Sequence, residues 1–160
     1  MKRILFVCTG NICRSPMAEV LLRDALQQDP VLRSEGIEVR SAGTSGWDGA
    51  PATELAVEAM KNLGLNLRGH RGRQLTRELV DWAECLLTME ARQRAWIRRA
   101  YPDAAAKVFS LAECTGDSGD VEDPYGGDVA EYSQCARRLC VLIPRLITHL
   151  RTRQINGTSP

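Results

Sequence analysis

The stretch Cys8-Thr9-Gly10-Asn11-Ile12-Cys13-Arg14-Ser15 places a nucleophile and a phosphate-binding cation in one short segment with five residues between them. It follows the apolar run Ile4-Leu5-Phe6-Val7, which reads as a buried strand. It leads into Ser15-Pro16-Met17-Ala18-Glu19, a helix start with Ser15 at the N-cap and Pro16 at the first helical position. A loop between a strand and a helix N-terminus turns its backbone N–H groups and the positive helix end toward one point, which makes an anion cradle. Arg14 brings a planar, two-pronged donor for a phosphate, and the same field favours Cys8 as the thiolate, its nucleophilic form. Phosphoryl transfer to a cysteine is the chemistry these residue types support.

Such a reaction needs an acid for the leaving group, and Asp123-Pro124-Tyr125 supplies one candidate. The surrounding segment, Thr115 to Gly127, is long, Gly-rich and acidic, carrying Asp117, Asp120, Glu122 and Asp123. Long loops without regular structure in compact domains usually carry function. Chemistry alone leaves Asp120 open beside Asp123. Asp103, in Tyr101-Pro102-Asp103, is a third candidate that a helix cap explains equally well.

The elements that must hold these groups alternate strand and helix. Strands are predicted at Lys2–Val7, Ile37–Arg40, Cys85–Met89 and Lys107–Leu111. Helices are predicted at Pro16–Gln28, Ala52–Leu63, Arg77–Trp82, a stretch ending at Arg99, and Val129–Leu150. The inward faces are Met17, Val20, Leu21 and Ala25 on the first helix and Leu55, Ala59, Met60 and Leu63 on the second. On the last they are Tyr132, Cys135, Leu139, Leu142, Ile143, Leu146 and Ile147. Gly64 stops the second helix, and Pro144 should kink or interrupt the last. Such βαβ units imply a single α/β domain over residues 1–153, flavodoxin-like and doubly wound, with a four-stranded parallel sheet covered on both faces. Residues 154–160 read as a disordered tail. The ligand then lies at the carboxyl ends of the strands, where Ser41 and Asp123 also fall.

The 160 residues suit one domain with a real core, and a net charge of +1 gives no reason to expect nucleic acid or an anionic membrane. No stretch reaches a membrane span, and the N-terminal apolar run breaks at Thr9-Gly10-Asn11, too early for a signal peptide. The six cysteines have neither disulfide-framework nor zinc spacing, so a reducing cytoplasm is expected, and no metal or other cofactor. Cys85, Cys114, Cys135 and Cys140 read as small buried hydrophobes.

The string Val7-Cys8-Thr9-Gly10-Asn11-Ile12-Cys13-Arg14-Ser15-Pro16, with Arg40-Ser41-Ala42-Gly43-Thr44, His70 and Asp123-Pro124-Tyr125, resembles the low-molecular-weight protein-tyrosine phosphatases. The resemblance runs from Lys2 to Leu150. It implies that Cys8 is the nucleophile, that Arg14 binds phosphate and the transition state, and that Ser15 donates to the Cys8 sulfur. It implies that Asp123 protonates the leaving oxygen and then activates water. Asn11 would be pinned by Ser41 and His70, and Cys13 would be the partner for a protective disulfide. Read without the resemblance, His70 belongs to a solvated basic loop, Arg68 to Arg73, and Arg92, Arg94, Arg98 and Arg99 to a wet helix face.

The family also implies a choice of phosphorylated protein substrate, on a chain expected to be a monomer. Arsenate reductases of this fold relay oxidation through two further cysteines. Cys85 lies where one would be sought, but no second follows until Cys114, which disfavours that reading. Relatives acting on phosphoarginine typically carry Thr where Ile12 stands. Ile12 suits an aryl ring, with Thr9 and Gly10 beside it and Trp47 and Tyr125 as the two walls. Gly126-Gly127 instead resembles the arginine-directed branch. The balance favours phosphotyrosine, with phosphoarginine as the alternative. A silent phosphate-binding module would lack Cys8, Arg14 or Asp123, and all three are present.

Overall fold

The computed structural model describes residues 1–156, without the side chains of the last three. Strand β1 (Arg3–Cys8) is central, with β2 (Glu38–Gly43) on one side and β3 (Cys85–Thr88) and β4 (Val108–Ser110) on the other. All neighbours are parallel, in the order β2-β1-β3-β4. This is the expected doubly wound α/β domain. Alternation along β1 divides the core between the two faces. Ile4, Phe6 and Cys8 face the layer formed by helices α1 (Arg14–Gln28), α2 (Glu54–Lys61) and α6 (Val129–Asn156). Leu5 and Val7 face α3 (Arg77–Trp82) and α4 (Ala91–Ala100). A one-turn helix, α5 (Leu111–Cys114), leads from β4 into the long acidic loop.

Several details differ from the sequence expectations. Helix α1 begins at Arg14 with Cys13 at its N-cap, so Ser15 is not the cap and Pro16 is not the first helical residue. The Ser15 hydroxyl is engaged by Cys8 and Asn11 instead. On α1 the buried face is Met17, Ala18, Leu22 and Leu26, while Val20, Leu21 and Ala25 are only half-buried. On α2, Ala56 and Val57 join Ala59 and Met60 inside, and Leu63 is exposed beyond the helix end. That end is the expected glycine stop: Gly64 has φ +78°, and Leu65 N–H reaches back to the Met60 carbonyl at 2.9 Å.

Helix α6 runs unbroken through Pro144. The proline is on the solvent side, as is Cys140 one turn earlier, whose carbonyl it cannot serve as a donor. Leu139, Leu142, Ile143 and Leu146 on either side are buried and hold the helix against the core. The helix also extends to Asn156, into the expected tail; residues 157–160 lie outside the described residues. Among the cysteines, Cys85 and Cys135 are buried as expected, Cys114 is half-buried and Cys140 is exposed.

The end of β2 folds over the Cys8 loop. Thr44 N–H donates to the Cys8 carbonyl and Ser45 N–H to the Thr9 carbonyl, both at 2.9 Å. Gly43 makes this closeness possible, because a Cβ there would collide with the Thr9 carbonyl and sit 2.8 Å from Gly46 Cα. Both neighbours are backbone. Gly43→Ala is therefore expected to cost about 1–3 kcal/mol, measured by denaturant unfolding, and to lower activity by shifting the loop. An unfolding midpoint equal to wild type would show that the loop gives way freely.

Candidate functional site

The loop after β1 is bent at Asn11, the one non-glycine residue with positive φ (57°) among those described, a conformation asparagine tolerates better than most. Asn11 is fully buried, and every polar group of its side chain is used. Its Oδ1 accepts from Arg73 N–H at 2.9 Å, which fixes which end of the amide is which. Its Nδ2 then donates to Ser15 Oγ and Ser41 Oγ, each at 2.9 Å. With those oxygens accepting, their hydroxyl protons are free to point onward. Ser41 donates to Glu19 Oε2 at 2.5 Å, and Ser15 donates to the Cys8 sulfur at 2.8 Å. The Asn11 backbone N–H also reaches that sulfur, at 3.3 Å. The Cys8 sulfur thus receives two donors, which fix its position in the floor of the loop.

His70 closes the loop from outside, its Nε2 2.7 Å from the Asn11 carbonyl. A carbonyl only accepts, so Nε2 carries the proton. Burial pushes the His70 pKa down, against the pull of that hydrogen bond. Sequence reading alone assigned His70 to a wet loop; the chain path brings it under Asn11.

Arg14 is buried, with 1% of its surface exposed. Its guanidinium donates to Glu90 and to the Val121 carbonyl (2.9 Å), and lies 3.4 Å from Asp123 Oδ2. Burial alone would raise the Glu90 pKa, but hydrogen bonds from Arg92 and Arg14 hold it below its ordinary value of 4.5. Asp123 faces Arg14 across the cavity, and its other oxygen accepts from Tyr125 N–H at 3.1 Å. The two other acid candidates stand elsewhere. Asp120 accepts from Ala91 N–H at 2.9 Å, at the start of α4, and Asp103 is paired with Arg77.

These groups surround a cavity of about 220 Å³ lined by Cys8, Thr9, Gly10, Ile12, Cys13, Arg14, Asp123 and Tyr125. Tyr125 forms one wall at the tip of a turn closed by Gly127 N–H to the Pro124 carbonyl, with Gly126 at φ +81°. Trp47, expected as the other wall, is 77% exposed and does not line the cavity. Cys13 borders it from the N-cap of α1, with its sulfur 3.2 Å from the Tyr132 hydroxyl and 3.6 Å from Thr53 Oγ1, and burial raises its pKa. Cys85 pairs with Ile4 at the opposite end of the sheet from Cys8, about 13 Å along β1 at roughly 3.3 Å per residue. It cannot take oxidation from Cys8 directly, which removes the geometric basis for an arsenate-reductase relay.

The sequence model of the family described as low molecular weight phosphotyrosine protein phosphatase matches residues 3–155. The chain belongs to this family. It is a cysteine-dependent phosphatase, as members of this family are. A protein-arginine-phosphatase from Geobacillus stearothermophilus is 40% identical over 153 residues, spanning 95% of this chain and 98% of that one. A probable low molecular weight protein-tyrosine-phosphatase, EpsP, from Ralstonia solanacearum is 42% identical over 78% of this chain and 79% of its own. The solved structure of the YwlE arginine phosphatase from G. stearothermophilus superposes with a TM-score of 0.89 at 38% identity, covering 100% of this chain and 99% of that one.

Sequence reading missed Glu19, Glu90, Gln93 and Arg73. Glu90 and Gln93 did carry a signal, since an acceptor three residues before Gln is a helix-start pattern, and the two do form a capping box on α4. Their second task, with Glu90 on Arg14 and Gln93 Nε2 on Thr9 Oγ1 at 3.1 Å, joins residues more than seventy positions apart. Removing one partner of a buried ion pair typically costs about 3–5 kcal/mol; Glu90→Gln keeps a hydrogen bond and should cost less, with kcat/KM falling as Arg14 loses its anchor. Because the Glu90 pKa is lowered on folding, its contribution is complete above about pH 4.5 and declines as the pH falls below it. Urea unfolding of both proteins from pH 3 to 7 tests this: a stability gap independent of pH would mean that Glu90 charge does not hold Arg14.

Proposed function

We propose that this protein is a protein-tyrosine phosphatase working through a cysteinyl-phosphate intermediate, in a reducing cytoplasm and as a monomer. Cys8 attacks phosphorus while Arg14 and the loop N–H groups hold the three peripheral oxygens. Asp123 gives its proton to the leaving phenol. Ser15 donates to Cys8 as the thiolate leaves in the second step, when Asp123 takes a proton from the attacking water. The observation that carries this reading is the cavity itself, with Cys8 and Arg14 in its floor, Asp123 at its rim, and no other carboxylate lining it. All six cysteines are free, which supports a reducing compartment, and one chain supplies every group named.

Ile12 supports an aryl substrate. Its side chain lies in the cavity over Gly10, with Ile12 Cγ1 3.5 Å from where a Gly10 Cβ would be, and offers hydrocarbon beside the phosphate seat. A guanidino group there would leave N–H donors unpaired, at roughly 1–3 kcal/mol each. The second reading, phosphoarginine, is favoured by the near-full-length likeness to a protein-arginine-phosphatase. Gly126-Gly127 weighs less, because φ +81° at Gly126 requires glycine for the turn that presents Tyr125, whichever substrate enters.

Parallel kinetics on phosphotyrosine and phosphoarginine peptides test the choice. Wild type should favour phosphotyrosine about tenfold or more, and Ile12→Thr should shift the kcat/KM ratio toward phosphoarginine. A wild-type preference for phosphoarginine would reverse the assignment. Cys8→Ser should abolish turnover yet still bind vanadate. Asp123→Ala should lose about 10²- to 10⁴-fold in kcat on poor leaving groups, and far less where the leaving group needs no proton. Asp120→Ala should act through stability rather than through leaving-group dependence.

Peroxide oxidation adds a further check. Cys8 as a sulfenic acid would be attacked by the Cys13 thiol, forming the Cys8–Cys13 disulfide and releasing water. Cys13 must leave Tyr132 and Thr53 to do so. Peptide mapping after mild peroxide should find the bond, dithiothreitol should restore activity, and Cys13→Ser should lose activity irreversibly. Equal recovery in both proteins would remove the protective role.

A further inference from the structure

A second depression of about 360 Å³ is lined by Thr9, Thr44, Ser45, Arg92, Gln93, Trp96 and Arg99. Thr9 lines the catalytic cavity too, so the two hollows meet at this residue. Its floor is rigid: Gln93 Nε2 donates to Thr9 Oγ1, and Ser45 N–H is bonded to the Thr9 carbonyl. Its wall is the outer face of α4, where Arg92, Trp96 and Arg99 follow at spacings of four and three and therefore share one side of the helix. Sequence reading took this cationic face for solvated surface.

The charges around it are unequal. Arg92 shares Glu90 with Arg14 and keeps most of its side chain, 72%, exposed. Arg99 forms no ion pair among the described residues. Trp96, 42% exposed, adds a flat apolar surface between them. No carboxylate lines the depression. Asp120 accepts from Ala91 N–H, next to Arg92, and with Glu122 and Asp123 lines a separate hollow. Within the depression itself a bound segment meets cations and no lining carboxylate.

We propose that this depression is a substrate subsite for an anionic side chain next to the phosphorylated residue, with Arg99 and Arg92 as its recognition groups and Trp96 packing against the segment's backbone or apolar stem. It rests on the phosphatase reading but not on the choice between phosphotyrosine and phosphoarginine. The carboxylate of an acidic residue and the phosphate of a second phosphorylated one carry the same chemistry here, and Arg99 can meet either in two-pronged fashion. Exposed ion pairs contribute modestly, so the effect belongs to discrimination and to salt-dependent capture rather than to the chemical step.

The test uses the full chain and short peptides bearing the hydrolysable phosphoresidue, with Glu, phosphoserine, Gln or Ala placed before it and, separately, after it. The measured quantity is the ratio of kcat/KM for an anionic flank to that for a neutral flank, which cancels losses common to both. In wild type at low ionic strength the ratio should be about 3- to 10-fold for at least one flank position, as two partly screened pairs provide. It should fall toward one at high salt. Arg99→Glu should bring it to one or below, and Arg99→Lys should retain part of it. A greater gain with phosphoserine than with Glu still supports the site and names a dianion as its preferred ligand. A wild-type ratio of one at both positions, or a ratio unmoved by Arg99→Glu, overturns the proposal. Absence of turnover on every peptide would instead count against the phosphatase reading itself.

Discussion

Asn11 is held at φ 57° by hydrogen bonds on its amide and on its carbonyl, and the rest of the site is arranged around that bend. A left-handed turn at this point folds the loop back so that the Asn11 N–H reaches the Cys8 sulfur three residues earlier. Such a conformation costs a non-glycine residue free energy and persists only where neighbours over-determine it. Here they come from three parts of the chain: Ser15 at the start of α1, Ser41 in β2, and His70 and Arg73 in the segment before α3. Glycine would adopt the angle readily but would offer no amide to connect these partners. The same side chain that stabilises the bend sets the direction of every proton between Glu19 and Cys8.

A second constraint is the burial of Arg14. A guanidinium removed from water needs partners in every direction, and Glu90, the Val121 carbonyl and Asp123 provide them. All three lie on segments far along the chain, Glu90 after β3 and the other two after α5. Arg14 thereby ties the acidic loop to the start of α1, and brings Asp123 opposite Cys8. The loop is tied at its other end too, where Asp117 accepts from Arg138 and Arg145 on α6. A long segment with little regular structure is in this way anchored at several points along its length.

Parallel topology explains why the two ends of the sheet differ. At the carboxyl ends of β1 and β3, chains leave toward opposite layers, into α1 and α4, and open a crevice in which the Cys8 loop sits. At the other end, Cys85 lies beside Ile4 and close to Cys114, whose hydrogen bond raises the Cys85 pKa. These two thiols share the core with Cys8 but are separated from it by the length of the strand.

The sequence by itself determined the order and kind of the main elements, the Cys–Arg loop between strand and helix, and the family, because each is written in short local stretches. An apolar run before a Cys–Arg loop specifies a strand and an anion cradle through local backbone chemistry alone. It also determined the glycine stop after α2, where left-handed backbone at Gly64 is a property of one residue. Tertiary structure decided what depends on distant partners. Ser15 is not a cap, because Cys8 and Asn11 claim its hydroxyl; α6 passes Pro144 unbroken, because buried leucines on both sides hold it. Asp123 rather than Asp120 borders the cavity because Ala91 takes Asp120. His70 and Glu90 join the site only when the segments after β2 and β3 are folded against the loop, and Glu19 only through Ser41 on β2. Trp47 does not, since nothing in the composition of its turn says which way that turn faces. Local sequence sets conformational preferences within a few residues, whereas the position of a side chain relative to one thirty or seventy residues away is set by packing.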